Sequence, residues 1–316
     1  MDYFKADFIF LVLQKFKQLI IDYRKLLIII ISILSIILLV QFLLKFTFTK
    51  KPEIVYLYAE NIDEIIPFRD SLVSPVVYLS VPDLRKVDME QRKMSFIELL
   101  LPSILIVREE AHETSNRLQL LLDKTLLSQA LSADDSLFLA KVQADIQEDN
   151  LEILLDKVKT HPPSLVLAQA IIESGWGTSR FFREANNTFG IWSFSASEDR
   201  ISASMTRAGR SIFLRKYPDV YSSIVDYYNT LARSAAYKNF RKKRLETEDP
   251  LVLAGYLQNY SEKRGEYVQM LRNIIRQNDL TQYDTYLIDW TYIPDTPDTD
   301  QATLPMVIDS LILRAD

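Results

Sequence analysis

The chain has no cysteine, only two histidines and, from Leu26 to Leu44, no charged residue. The first absence excludes disulfides, thiol catalysis and cysteine-ligated zinc. The second leaves His112 and His161 far apart in sequence, a poor basis for a histidine metal site or a Ser-His triad. His161 stands before Pro162 and Pro163 and reads as a residue leading into a helix, not as a ligand. No metal or cofactor is expected. The third absence marks a membrane span. Residues 26–44, rich in Ile and Leu, cover roughly 30 Å at helical rise, the thickness of a bilayer core. No A-x-A-like cleavage site follows, so the segment reads as an uncleaved anchor.

Beyond the span the composition is globular, with 48% hydrophobic and 25% charged residues overall. Lys5, Lys15, Lys17, Arg24 and Lys25 precede the span, whereas Lys45, Lys50 and Lys51 follow it. That excess favours a cytoplasmic N-terminus, which would place the rest of the chain across the membrane from the cytoplasm. Residues 1–25 are then a cytoplasmic or interfacial segment, with Phe8–Leu19 suited to lie along the bilayer surface. The expected partners include the lipid bilayer. Nucleic acid is not among them for an anchored chain of net charge −5.

Residues 45–87 hold Pro52, Pro67, Pro75 and Pro82 among short apolar runs and read as a spacer with one or two short strands. Helical periodicity begins near Val87. The apolar run from Phe96 meets Pro102 and continues towards Leu122. Ser132 or Asp134-Asp135 suits the next helix start, and another helix is expected at Leu151–Val158. A short helix should open at Thr178 or Ser179 and end near Asn186-Asn187. Residues 201–215 read as a hairpin around Ala208-Gly209, and helices follow at 220–236, 250–260 and 265–277. No internal repeat is visible. Residues 285–316 form an acidic tail in which Leu304–Leu313 has the composition to dock. Residues 200–244 carry eleven Lys or Arg against two Asp, densest at Arg241-Lys-Lys-Arg244. That run reads either as a solvated helix end or as a patch facing an anionic polymer or lipid headgroups.

One carboxylate stands out. Leu165, Val166, Ala168, Ile171 and Ile172 recur at helical spacing, Pro162-Pro163 suits the helix start, and Gly175 suits the position past its end. Glu173 therefore falls in the last turn of an apolar helix, beside Trp176. The negative end of the helix dipole and desolvation both disfavour its anion. A carboxyl group kept protonated near neutral pH is what a general acid requires.

The run Leu165-Val-Leu-Ala-Gln-Ala-Ile-Ile-Glu-Ser-Gly-Trp-Gly-Thr-Ser-Arg-Phe181, followed by Asn186-Asn-Thr-Phe-Gly-Ile-Trp192, resembles the bacterial Bax family of glucosaminidase-domain proteins. These are relatives of glycoside hydrolase family seventy-three. Tyr237–Arg244, Tyr260–Val268, Ile274–Leu280 and the lead-in Arg92–Pro102 also match, so the resemblance covers about two thirds of the chain, residues 88–284 with a core at 150–280. It implies a mainly α (α+β) lysozyme-like domain with a small β-hairpin lobe. It also implies a glycoside hydrolase, an endo-β-N-acetylglucosaminidase, cleaving the β-1,4 bond after N-acetylglucosamine in peptidoglycan. Glu173 takes the place of the catalytic acid. Trp176, Asn187, Trp192, Tyr237 and Tyr260 fall at positions for substrate binding, and for the two tryptophans plain core packing is nearly as good a reading.

The second group needed by a hydrolase is less clear. Members of the group often place a second carboxylate in the hairpin lobe, where this chain offers Glu198 and Asp199, 25 and 26 residues after Glu173. The family's Gly- and Pro-containing loop is replaced by Ser195-Ala-Ser-Glu-Asp-Arg200. Assistance from the substrate's acetamide is an alternative, and Glu184 reads as a solvated helix charge. Two other classes stay open: a lytic transglycosylase, which needs one acid alone, and a non-catalytic peptidoglycan-binding scaffold.

Overall fold

A computed structural model describes residues 23–41, 54–207 and 210–292, with backbone alone for 204–207 and 210. Two compact units are present, residues 1–52 and 53–316. Of the first, the described part is one helix, α1 (Tyr23–Gln41), long and apolar enough to cross a membrane, with its side chains exposed all round. That length and composition serve a membrane span or a signal sequence equally. The expected interfacial segment Phe8–Leu19 lies outside the described residues, as do Ala208-Gly209 and Leu304–Leu313.

The second unit is mainly helical. Its elements are β1 (Val55–Tyr58), β2 (Leu72–Val73), β3 (Val76–Ser80), α2 (Met89–Leu126), α3 (Ala133–Ile146), α4 (Leu151–Val158), α5 (Pro163–Ser174), α6 (Arg180–Ala185), β4 (Arg200–Arg207), β5 (Arg210–Arg215), α7 (Val220–Arg233), α8 (Lys238–Lys243), α9 (Pro250–Ala254), α10 (Gly265–Gln277) and β6 (Leu287–Ile288). Three two-stranded sheets occur among them. β1–β3 and β2–β6 are parallel, and β4–β5 is the antiparallel hairpin.

The stretch read as a spacer is part of this core. Val73, Val76, Val77, Tyr78 and Leu84 are fully buried, and the Tyr78 hydroxyl accepts from the Ile66 backbone N–H at 2.9 Å. Of the prolines that suggested a linker, Pro75 joins β2 to β3, Pro67 precedes β2 and Pro82 follows β3, whereas Pro52 lies outside the described residues. The tail is likewise engaged where it is described, because Leu287 and Ile288 pair with Leu72 and Val73.

Pro102 sits inside the 38-residue α2 without ending it. A proline removes one backbone donor. Leu99 to Val107 are all buried, so tertiary packing holds the helix through that gap. α2 packs against α4, α5 and α7, and α5 in turn lies against α9, α10 and a 3-10 turn at Leu280–Thr285.

The ends of α5 explain its place. Pro162 at the N-cap offers no side-chain acceptor. The cap comes from the 3-10 turn instead: Asp284 accepts from the Ser164 backbone N–H at 2.7 Å and from its hydroxyl at 2.8 Å. At the other end Gly175, Trp176 and Gly177 all have positive φ, +59°, +57° and +73°. Gly177 has a second reason to be glycine, since a Cβ there would meet Leu84 and Phe96 at 2.9 Å. The triple left-handed turn reverses the chain into α6, which Ser179 caps through the Phe182 N–H.

Candidate active site

Glu173 occupies the last turn of α5 and is half-buried. Desolvation raises its pKa above the ordinary carboxylate value, and a hydrogen bond from the Tyr267 hydroxyl acts in the opposite direction. Burial is the larger effect, as the helix position predicts. Three tyrosines feel its charge. Tyr237, Tyr260 and Tyr267 are each pushed upward by burial first and by Glu173 next. Tyr260 stacks on Tyr267, with ring centroids 5.6 Å apart and planes within 10°, and lies 6.2 Å from Tyr237. The structure therefore gathers three of the expected residues, Glu173, Tyr237 and Tyr260. It adds Tyr267, which sequence reasoning passed over. Tyr267 lies in the third position of α10, with Leu271 one turn on, and such spacing reads as core.

Trp176 is partly buried. Its ring meets Phe96 edge-on at 5.9 Å, and Lys93 Nζ lies 5.3 Å from its centroid. With Ile171, Ile172, Met270 and Ile274 it lines a shallow groove between α5 and α10. Its φ of +57° is uncommon for a bulky residue and marks a strained turn beside the acid.

Asn187 requires a correction as a substrate ligand. It is 1% exposed. Its Nδ2 donates to the Ile191 carbonyl at 3.0 Å and the Arg215 carbonyl at 2.8 Å, while its Oδ1 accepts from the Ile191 N–H at 2.9 Å. Both ends of the amide are spent on backbone. Asn187 fixes the 187–191 turn to β5 and so carries Trp192 into place, bridged to Leu214. Trp192 is partly exposed and stands 6.2 Å from Phe194, which is 85% exposed. Phe194 was also missed; it lies in an irregular stretch where periodicity gives no signal.

The hairpin lobe holds the two candidate second carboxylates. Glu198 accepts from Arg215 twice, Nη2 at 3.0 Å and Nε at 3.3 Å. Arg215 also donates to Asp226 Oδ2 at 2.6 Å, the same oxygen that accepts from the Tyr217 hydroxyl at 2.6 Å. Asp226, on α7, is buried, and its charge helps raise Tyr260. A line of charges, Glu198–Arg215–Asp226, thus ties the lobe to the helical body near the tyrosines. Asp199 is exposed, and its backbone carbonyl accepts from the Lys216 N–H. Glu184 is an exposed partner of Arg180 at 3.2 Å, a solvated helix charge.

The basic run 241–244 is not a uniform patch. Arg244 is 2% exposed and donates to the carbonyls of Asp156 and Lys157, and Arg241 donates to those of Leu231 and Ser234. Two of the four cations are spent on closing helix ends. Among the described residues no cluster of His, Asp and Glu suited to a metal occurs.

Known proteins match this chain over the helical body that holds Glu173. Residues 152–280 match the glucosaminidase family model, described as mannosyl-glycoprotein endo-beta-N-acetylglucosaminidase. Protein bax of Escherichia coli (strain K12) is 29% identical over 214 residues, 63% of this chain and 74% of that protein. Exo-glucosaminidase LytG of Bacillus subtilis (strain 168) is 24% identical over 159 residues, 43% of this chain and 54% of LytG, so the chain spans about half of that relative. The catalytic domain of the autolysin Auto from Listeria monocytogenes shares 21% identity over 52% of this chain and 97% of that domain. Its TM-score of 0.34 is too low to carry an argument of its own. The matched segment runs from α4 through α10 and takes in Glu173 and its tyrosines, so residues 152–280 are what this chain shares with glucosaminidase domains.

Proposed function

We propose that this protein is a membrane-anchored peptidoglycan hydrolase that cleaves the β-1,4 glycosidic bond after N-acetylglucosamine, with Glu173 as general acid. The observation that carries the reading is the setting of Glu173: a half-buried carboxyl at a helix C-terminus whose pKa burial raises, touched by a tyrosine hydroxyl. A glycosidic oxygen leaves poorly until it is protonated as the bond breaks, and a carboxyl whose pKa is raised by burial keeps its proton to higher pH and can supply it. Tyr237 and Tyr260 flank the acid and offer hydroxyls to the sugar's acetamido group or to a water. On the lobe side the exposed rings of Trp192 and Phe194 present apolar faces of the kind on which sugar rings stack. Glu198, oriented by Arg215, serves as the second carboxylate, with exposed Asp199 as the alternative. Helix α1 anchors the enzyme in the inner membrane, with the catalytic domain on the periplasmic side.

A lytic transglycosylase is the second reading. It is favoured by one observation: Glu198 is already engaged by Arg215, whereas Glu173 is free of cationic partners among the interactions that shift it. Transglycosylation needs one acid and no activated water. Mass spectrometry of digested sacculi separates the two. New reducing N-acetylglucosamine ends support hydrolysis at the proposed bond, and anhydro-muramic ends support the transglycosylase. The same digest with Glu173→Gln tests the acid; retained full activity in that variant refutes its role.

A further inference from the structure

A buried chain of hydrogen bonds starts at Glu173 and returns to His161, twelve residues earlier. The Tyr267 hydroxyl is the group that holds the Glu173 pKa down against burial, and Glu173 in turn raises Tyr267. Gln169 Nε2 donates to Tyr267 Oη at 3.2 Å, Tyr227 Oη donates to Gln169 Oε1 at 2.6 Å, and His161 Nε2 lies 2.8 Å from Tyr227 Oη. The inner members, His161, Gln169, Tyr227 and Tyr267, are all at most 4% exposed.

The lengths fix the direction. A separation of 2.6 Å suits O–H···O and is short for N–H···O, whereas 3.2 Å fits an amide donor, so the Gln169 amide has its oxygen on Tyr227. The single Tyr227 proton is then spent on Gln169, and the Tyr227 oxygen must accept from His161. The imidazole therefore carries its proton on Nε2. A second observation agrees: His161 Nδ1 is buried with no hydrogen-bond partner. A bare lone pair there is tolerable, whereas a proton there would be an orphaned buried donor. At the other end, Tyr267 accepts from Gln169, which leaves its own proton for Glu173. Every donor points towards the acid. The reversed chain puts hydrogen on the unpartnered Nδ1 and turns Tyr267 away from Glu173.

We infer that His161 is a positioning residue for Glu173: its tautomer latches the direction of a four-donor chain that keeps the Tyr267 proton aimed at the acid. The inference rests on the reading of Glu173 as general acid. As Glu173 yields its proton to the leaving oxygen, the carboxylate that forms receives a preorganised donor, and the bonds behind it polarise in the same sense. Glu173 itself faces Tyr237, Tyr260 and Tyr267. His161 faces Arg108 on α2 and Arg244 beyond α8, and burial together with these cations holds it neutral well below its ordinary pKa. Lys93 on α2 lies over Trp176, and Asp284 is taken up by Ser164 at the far end of α5.

The test uses the full chain in lipid nanodiscs. Imidazole 15N shifts, assigned with His112→Gln, should show His161 protonated on Nε2 alone and unchanged from pH 5 to 8; protonation on Nδ1 overturns the inference. In kinetics on sacculi, Tyr267→Phe removes the donor to Glu173. The alkaline limb of kcat/KM should move up by roughly half to one pH unit. Tyr227→Phe and His161→Leu, neither of which removes a group bonded to Glu173, should move the same limb in the same direction. The Tyr227→Phe/Tyr267→Phe double variant should move it no further than Tyr267→Phe. A limb that stays in place while the melting temperature falls assigns the chain a structural role and overturns the inference. Should either inner variant fail to fold, the wild-type tautomer decides. Full activity of Glu173→Gln removes the acid itself, an outcome distinct from any of these.

Discussion

The two sides of the candidate cleft hold their carboxylates in opposite ways. On the helical side Glu173 is taken from water by α5 and met by neutral hydroxyls, so its proton is retained to higher pH. On the lobe side Glu198 is gripped by a guanidinium that is itself anchored on buried Asp226. One environment stores a proton and the other fixes an anionic partner through ion pairs. That division is the one expected where two carboxyl groups must play different parts in breaking one bond.

The sharpest way to break the comparison is Glu173→Gln. Loss of sacculus digestion by about three orders of magnitude is expected. The variant should be no less stable than wild type at pH 7. The sign follows from the raised pKa: below the unfolded value, near 4.5, both forms are neutral and equal, and above it the ionised Glu173 weakens the wild-type fold alone. Thermal unfolding of both proteins across pH 4 to 8 checks this. Next in size is Arg215→Met, which leaves Asp226 buried without its cation. Because the Arg215 side chain is 29% exposed, the loss is discounted to about 2 kcal/mol, read by denaturant unfolding. Glu198→Gln should lower hydrolysis about tenfold if the lobe carboxylate acts on water, whereas an unchanged rate would favour the transglycosylase. Smallest is Glu184→Gln, where the exposed pair with Arg180 predicts a stability change within about 0.5 kcal/mol and normal activity.

Much of the helical side was legible because helix ends have chemical signatures. Pro163, Gly175, Ser132 and Ser179 stand where the sequence puts them, as first turn, left-handed stop and N-caps. Glu173 could be singled out for the same reason: a carboxylate in the last turn of an apolar helix is a local anomaly. What surrounds it was not local. Tyr267 comes from α10, 94 residues onward, and looks like a core residue on its own helix. Asn187 misled in the other direction, since a polar residue in a motif invites a ligand, whereas its amide closes a turn. The prolines of residues 52–82 suggested a linker because proline counts against a central strand, yet β1 and β3 are short and, among the described residues, pair only with each other.

The pairing of β2 with β6 has a consequence for how the molecule is made. Leu72 and Val73 emerge early in synthesis, and their partners Leu287 and Ile288 follow only after more than two hundred further residues. Until then the first strands have no neighbour on that edge, and the second unit stays open at its seam. Closure of so long a loop adds little to the final cost in entropy but delays the last contacts. The folded body of the second unit is therefore completed from two distant segments together, so a chain cut back past Val73 or before Leu287 keeps the acid and loses the clasp.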